Sequence, residues 1–355
     1  MSHSSYIKET ALEAKENAQR IAFAPVVFQS ALSLRNLGIL QVIEDNRNSG
    51  ISLNNISSRL NLPIYGVRVL LESGLNIGLV TESEDNYHLT KTGYFILHDE
   101  LTRVNMDFIN DVCYLGLFEL EKSITTGKPE GLKVFGSYKT IYEGLSELPA
   151  DVQKSWFAFD HFYSDNALPK ALEAVFSNSP KTILDIGGNT GKFALACTKH
   201  SQYATITILD LPGQIQMAKK SLQDQLGFDR IDFHCSNILD ESQEFPKGYD
   251  AIWMSQFLDC FSESEITSIL RRCSASLNMN GSIFILEPFW NRQRFESASF
   301  CLSQTSLYFT TMANGNSQMY HSDVFIKCIE KAGLRVEEMR DGIGLSHSLI
   351  QIKAK

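Results

Sequence analysis

The sequence lacks the features that mark a membrane or secreted protein. No stretch approaches the roughly 18 consecutive apolar residues that a membrane-spanning helix needs. The N-terminal segment contains acidic residues and no apolar core, so we expect no signal peptide. The seven cysteines show no CxxC spacing, which predicts reduced thiols, no disulfide framework and no metal site. These absences predict a cytoplasmic protein without a membrane partner.

Clustered basic residues are absent as well. The formal net charge is -9 over 355 residues, whereas surfaces that bind nucleic acid or anionic lipid concentrate lysine and arginine. A nucleic-acid partner is therefore not expected. The length is greater than one small core requires and favours two domains.

The N-terminal part of the chain has the pattern of a winged helix. Apolar residues recur at helical spacing over 4–40, and Ser52 then precedes a short helix. Pro63 favours the first turn of a second helix, which is followed by a hairpin over 78–89. Helix, turn, helix and hairpin predict a helical, winged-helix domain over residues 1–105.

Winged helices often bind DNA, but the charges here disfavour it. Arg68 is the only cation of the second helix, and the wing carries Glu82, Glu84 and Asp85. The apolar helix faces instead favour a dimer interface. A winged-helix regulator stays open as a less favoured alternative.

The second half alternates strands and helices. After a helical linker over 106–164, a domain over 165–355 contains predicted strands at 182–186, 205–209, 231–235, 251–258 and 282–287. A closing antiparallel hairpin is predicted over 335–340 and 346–352. This order predicts an α/β fold with a doubly wound, mostly parallel sheet.

The stretch TILDIGGNTGKFALACTKHSQYATITILD, residues 182–210, carries the functional signal. Gly187, Gly188 and Gly191 lie where a strand turns sharply into a helix, and they let the backbone approach a ligand. Asp210 ends the next strand, about 20 residues after the turn, which is the spacing of a carboxylate that binds a ribose. Asp185 precedes the turn and is placed to meet an ammonium group. The pattern predicts a nucleotide-shaped cofactor.

LDIGGNTGKFA and TILDLPGQI, together with the strand before Asp259 and a helix ending in Ala332 and Gly333, resemble the plant-type (class II) small-molecule O-methyltransferases, which also occur in bacteria. The resemblance implies a seven-stranded methyltransferase sheet, S-adenosylmethionine as cofactor, and a homodimer formed through the winged-helix domain. It also implies methyl transfer to a small aromatic or acidic acceptor. The alternative is a related enzyme that binds the same cofactor for hydroxylase-like or decarboxylase-like chemistry.

The resemblance also assigns the cofactor contacts. It places the glycine turn beside the methionine portion and Asp210 at the ribose, and Leu211, which follows Asp210, is a further cofactor contact. Asn237 stands where the family has an aspartate at the adenine amino group, and Ile238 would contact the base. Ser255 occupies a position where the family often has a lysine.

The catalytic positions depart from the family. Where relatives carry a histidine base, this chain has Asp259, and Glu287 matches the acid that steadies that base. An unperturbed aspartate is a poorer proton acceptor than histidine by about 2.6 pKa units, although burial raises its pKa. An acceptor that is already acidic would need no strong base, and Asp259 would then orient it or pair with an amine. His321 is either a replacement base or a helix cap.

Aromatic residues in two further segments could form a pocket for the acceptor or belong to the hydrophobic core, and the sequence does not decide between these two interpretations. They are His161, Phe162, Tyr163, Trp290, Phe300 and Phe309.

Overall fold

The chain divides between Asp107 and Phe108 into two units. The structure is a computed structural model that describes residues 9–355, apart from the side chains of residues 164 and 165. Within those residues no single helix is both long and apolar enough to cross a membrane. One bent pair, Ala11–Asn36 with Ile39–Asp45, passes that test together on length and composition only.

The first unit is helical with one small sheet. Its elements are α1 (Ala11–Asn36), α2 (Ile39–Asp45), β1 (Ile51–Ser52), α3 (Leu53–Leu60), α4 (Ile64–Asn76), β2 (Val80–Ser83), β3 (Asn86–Leu89), α5 (Lys91–His98) and α6 (Glu100–Phe108). The Ser52 side chain accepts the backbone N–H of Asn55 and so caps α3. The predicted order of helix, turn, helix and hairpin is confirmed. The sequence pattern did not show β1, which pairs with β3 in a three-stranded antiparallel sheet ordered β1-β3-β2.

The second unit begins with helices and continues into the α/β domain. Its helices are α7 (Leu120–Thr126), α8 (Ile141–Gly144), α9 (Ala150–Asp165), α10 (Leu168–Val175), α11 (Lys192–His200), α12 (Pro212–Leu222), α13 (Glu263–Ser276), α14 (Glu296–Tyr308) and α15 (Ser322–Lys331). Its strands are β4 (Thr182–Ile186), β5 (Thr205–Asp210), β6 (Ile231–Cys235), β7 (Tyr249–Ser255), β8 (Leu277–Pro288), β9 (Leu334–Ile343) and β10 (His347–Ala354). Short π-helical turns, Ile109–Cys113 and Phe309–Ala313, extend α6 and α14.

These strands form the predicted sheet. The seven strands are ordered β6-β5-β4-β7-β8-β10-β9, with β10 antiparallel to both of its neighbours and the other pairs parallel. Buried apolar clusters cover both faces, as expected for helices packed on either side of a parallel sheet. The doubly wound, mostly parallel architecture is confirmed.

The segment 106–164, which we expected to link the two domains, also packs against the α/β domain. Its buried residues Phe108, Val112 and Leu132 share one apolar cluster with Leu302 and Met312, which come from α14 and the turn after it. Burial of these side chains stabilises the segment against the α/β domain, since each buried apolar side chain contributes about 1.5–3 kcal/mol. From Phe108 onward the segment is therefore part of the second unit.

Candidate active site

A cavity of about 390 Å³ opens in the second unit at the carboxyl ends of the parallel strands. This is the edge at which open α/β sheets bind ligands. Eight of the nine residues predicted to contact the cofactor line it: Asp185, Gly187, Gly188, Asp210, Leu211, Asn237, Ile238 and Ser255. Helices α8, α9 and α14 contribute the opposite wall through residues such as Tyr142, Asp160 and Tyr308.

The glycine turn after β4 is tightly packed. Gly187 has a φ of 72°, and a Cβ there would lie 2.2 Å from Cδ2 of Phe257. Gly191, with a φ of 79°, begins α11, and its Cβ would lie 2.4 Å from Cδ1 of Leu222. Gly191 is the one predicted cofactor contact that does not line the cavity. It is glycine because α11 must approach α12 closely.

Asp210 ties the tip of β5 to that turn. One carboxylate oxygen accepts the backbone N–H of Asn189 at 2.9 Å, and the other accepts the N–H of Leu211 at 2.7 Å. Burial raises the pKa of Asp210, while these two N–H donors oppose the rise. Each oxygen keeps a lone pair, so the carboxylate has the acceptor capacity that two ribose hydroxyls require.

Asp185 supplies a buried carboxyl with unused acceptor capacity. Its side chain lines the cavity, and Oδ2 has no hydrogen-bond partner among the described residues. Burial, together with the nearby Asp210, raises the pKa of Asp185 to about 8. An orphaned buried carboxyl oxygen at a cavity wall fits a cationic group, because an ammonium would satisfy both its hydrogen bonding and its charge.

The loop after β6 is the predicted adenine contact. The side-chain oxygen of Asn237 accepts the backbone N–H of Leu239 at 3.0 Å, which shapes the loop and leaves the oxygen one further lone pair. Ile238 is buried, and its carbonyl accepts a hydrogen bond from the Arg272 guanidinium. Asn237, Ile238 and Leu239 all line the cavity.

Asp259 lies on a helical turn, Leu258–Cys260, that follows β7. It lines the cavity with only 4% of its surface exposed. Burial raises the pKa of Asp259 to about 7. The Cys260 thiol donates a hydrogen bond to Oδ1 at 3.4 Å and so lowers this pKa, whereas the charge of Asp160 raises it further. The Tyr142 hydroxyl donates in turn to the Cys260 sulfur at 3.0 Å. Asp259 is thus a carboxyl that exchanges its proton near neutral pH.

Glu287, near the end of β8, lies behind this turn and outside the cavity lining. One carboxyl oxygen accepts the backbone N–H groups of Phe257 at 2.9 Å and Leu258 at 2.7 Å. Its other oxygen has no partner among the described residues. Burial and the neighbouring Asp259 raise the pKa of Glu287. Glu287 therefore positions the turn that carries Asp259.

Comparison with protein families agrees with this geometry. A Dimerisation2-like domain model matches residues 15–87, and an O-methyltransferase domain model matches residues 119–335, more than half of the chain. The chain belongs to the O-methyltransferase domain family. It is an S-adenosylmethionine-dependent methyltransferase with a helical dimerisation-type domain in front.

Individual relatives are distant and span most of the methyltransferase. L-tyrosine C(3)-methyltransferase of Streptomyces lavendulae is 23% identical over 321 residues, 89% of this chain and 86% of that protein. Acetylserotonin O-methyltransferase of Gallus gallus is 22% identical over 304 residues, 82% of this chain and 84% of that protein.

Solved structures share the fold of the methyltransferase. The mitomycin 7-O-methyltransferase MmcR matches with a TM-score of 0.72 at 16% identity, covering 96% of this chain and 98% of that one. The O-methyltransferase NcsB1 from neocarzinostatin biosynthesis, solved with S-adenosylmethionine and 2-hydroxy-5-methyl naphthoic acid, matches with a TM-score of 0.67 at 19% identity. It covers 92% of this chain and 96% of that one.

His321 of the methyltransferase lies outside the cavity lining. Its ring nitrogen Nδ1 accepts the backbone N–H of Asp323 at 3.1 Å, so it caps α15. The ring also meets the edge of Trp290, with centroids 5.0 Å apart, and it does not line the cavity. Of the two roles that the sequence left open, the structure favours the helix cap, because the position that begins the helix turns the side chain onto the helix's own backbone.

Of the aromatic candidates, His161 and Phe309 line the methyltransferase cavity. Phe162, Tyr163 and Trp290 do not line it, and Phe300 is largely exposed.

Sequence reasoning missed several residues that line the cavity on the side of helices α8, α9 and α14, here called the acceptor wall. They are Tyr142, Trp156, Asp160, Tyr308 and Asn314. Trp156 and Asp160 are one helical turn apart on α9 and so share a face, a spacing that could have indicated them. Trp156 donates from Nε1 to the Tyr308 hydroxyl at 2.8 Å, which joins α9 to α14 across the wall. No sequence signal marks that pairing, because the two residues are far apart in the chain.

Proposed function

We propose that this methyltransferase acts on a hydroxyl oxygen of a small aromatic acceptor. The observation that carries the proposal is one cavity in which the glycine turn and Asp210 form one wall and Asp259 lies among aromatic side chains on another. The site residues below are assigned on that geometry.

The cofactor side of the cavity is held by side chains of the strand ends. Asp185 is assigned to the ammonium of the methionine portion, Asp210 to the ribose hydroxyls, and Asn237 with Ile238 to the adenine. When bound, S-adenosylmethionine supplies an electrophilic methyl group on a positively charged sulfur. The role of the chain is to align an acceptor oxygen with it and to exclude water.

Asp259 is assigned as the general base. With its pKa raised to about 7, it is as good a proton acceptor as an ordinary histidine, whereas a solvated aspartate is weaker by about 2.6 pKa units. The acceptor hydroxyl gives up its proton to Asp259 as its oxygen becomes methylated. Glu287 keeps Asp259 in place through the backbone of the turn.

Aromatic side chains support an aromatic acceptor. The part of the cavity around Asp259 is lined by Phe108, Tyr142, Trp156, Phe159, Phe257, Tyr308 and Phe309. Flat ring faces and edges bind a planar ligand well. The relatives agree, since one methylates L-tyrosine and a solved neighbour binds a naphthoic acid.

The first unit supports a homodimer. It matches the dimerisation-type family, and α1 exposes apolar side chains that a monomer would leave in water: Leu12, Ile21, Phe23 and Val26. We assign dimerisation to residues 1–105. The seven free cysteines suit a cytoplasmic location.

Release of S-adenosylhomocysteine tests the proposal. The wild-type protein and Asp259→Asn are incubated with S-adenosylmethionine and a panel of phenols, catechols and hydroxynaphthalenes, and products are identified by NMR. An O-methyl product that Asp259→Asn forms much more slowly supports the assignment. A C-methyl product would show that the methyl group is transferred to a ring carbon and not to the hydroxyl oxygen. Cofactor binding without S-adenosylhomocysteine release for any acceptor would favour the hydroxylase-like or decarboxylase-like alternative.

A further inference from the structure

The cavity is lined by more carboxyl groups than the cofactor uses. Asp185 and Asp210 belong to the cofactor wall, but Asp160 and Asp259 also line the cavity. Among the lining residues that the structure describes there is one lysine, Lys192, and no arginine. With Glu143 and Glu265 the lining has six acidic side chains against Lys192 and His161, so acidic groups outnumber basic ones there.

Asp160 lies close enough to Asp259 for the two charges to interact. The charge of Asp160 is one cause of the raised pKa of Asp259. Asp160 also reaches the glycine turn, where its Oδ2 accepts a weak hydrogen bond from Nδ2 of Asn189 at 3.5 Å. Its Oδ2 lies 4.0 Å from Nε2 of His161, and its side chain is about one quarter exposed, so a ligand in the cavity can also reach it. Two carboxylates that line the same cavity repel each other, and a cation near them relieves the repulsion.

Aromatic side chains line the same cavity as Asp160. Trp156 lies one turn before Asp160 on α9 and lines the cavity, as does Phe159. A carboxylate beside ring faces is the combination that binds an organic ammonium, because the carboxylate pairs with the charge and the rings attract the cation. An anionic acceptor, by contrast, would have to sit beside Asp160 and Asp259.

We propose that the acceptor carries a protonated amine in addition to its aromatic hydroxyl, and that Asp160 binds the ammonium. The inference rests on the proposed function, since it places the acceptor in the cavity beside Asp259. Asp160 is thus the residue that selects cationic over neutral or anionic phenols.

Binding to the protein saturated with S-adenosylhomocysteine tests this directly, because that cofactor product lacks the positive charge on sulfur. Three ligands of similar shape are titrated calorimetrically: tyramine, the uncharged 4-propylphenol and the anionic 3-(4-hydroxyphenyl)propanoic acid. We expect tyramine to bind at least ten-fold more tightly than 4-propylphenol, and the acid to bind most weakly. In Asp160→Asn the advantage of tyramine should fall to about two-fold or less, with the affinity for 4-propylphenol unchanged.

Asp151→Asn is the matched control, since Asp151 is an exposed aspartate on the same helix and does not line the cavity. It should retain the full preference. Equal affinities for tyramine and 4-propylphenol, no binding of tyramine, or a preference that survives in Asp160→Asn would each overturn the proposal. Release of S-adenosylhomocysteine with 4-propylphenol but no preference for tyramine would leave the proposed function standing and the amine proposal refuted.

Discussion

Glu287 accepts the backbone N–H of Leu258 at 2.7 Å, which fixes the residue directly before Asp259 to the end of β8. The same carboxyl oxygen accepts the N–H of Phe257. Phe257 in turn packs against the glycine turn, where it occupies the space of a Cβ at Gly187. One buried acid thus connects the glycine turn with the turn that carries Asp259.

Two substitutions of Glu287 test whether its hydrogen bonds or its charge stabilise the turn. Glu287→Gln keeps an oxygen that accepts both N–H groups, and burial with Asp259 nearby already favours the uncharged form. We expect its free energy of unfolding, measured in urea, to stay within about 1 kcal/mol of wild type. Glu287→Ala leaves two buried N–H groups unpaired and should cost at least about 2 kcal/mol. Equal losses in the two variants would contradict the positioning role.

The rate of methyl transfer should follow the ionisation of Asp259. A base must be deprotonated, so with a pKa of about 7 the rate should rise with pH and level off above that value. Asp259→Asn should lower kcat about 100-fold or more, remove this step in the pH profile and leave S-adenosylhomocysteine affinity unchanged. A profile that is identical in the variant would exclude Asp259 as the base.

Cofactor binding should release a proton from Asp185. The free protein holds this carboxyl mostly protonated at pH 7, because its pKa is about 8, and a bound ammonium favours the ionised form. Affinity for S-adenosylhomocysteine should therefore rise from pH 6 to pH 8. Calorimetry in buffers of different ionisation enthalpy counts the protons released. Asp185→Asn should release none, and equal release in wild type and variant would place the ammonium elsewhere.

Gly187→Ala should destabilise the methyltransferase unit. The positive φ costs a residue with a Cβ about 1–3 kcal/mol, and the new methyl group would overlap the Phe257 ring. Urea unfolding should show a loss of at least about 2 kcal/mol, with weaker cofactor binding. Gly213→Ala is the matched control, because nothing lies within 4 Å of its Cβ position in α12. Equal effects of the two changes would remove the steric argument.

The sheet and its cofactor edge were predictable because their signals are local. Alternating apolar strands, the glycine turn and Asp210 all lie within short stretches of sequence, and the parallel sheet then brings the strand ends together. Gly191 belongs to the same stretch, yet its neighbour is Leu222 on the next helix, which no local pattern specifies.

The acceptor wall was harder to predict because it is assembled from distant segments. Tyr142 contacts Cys260, and Trp156 contacts Tyr308, across more than a hundred residues of chain. The raised pKa of Asp259 likewise depends on burial and on Asp160, which spacing does not reveal. For His321 the sequence left a base and a helix cap open, and only the structure shows that its side chain caps α15.

Titration of S-adenosylhomocysteine into wild type and Asp210→Ala tests the central claim, that the cofactor lies between the glycine turn and the tip of β5. Removal of a charged hydrogen-bond acceptor typically costs about 1.5–3 kcal/mol, so the affinity should fall roughly ten- to 150-fold. Asp341→Ala, which removes a carboxylate paired with Arg292 outside the cavity lining, should bind like wild type. Unchanged affinity in Asp210→Ala, or no binding by the wild-type protein, would contradict the account.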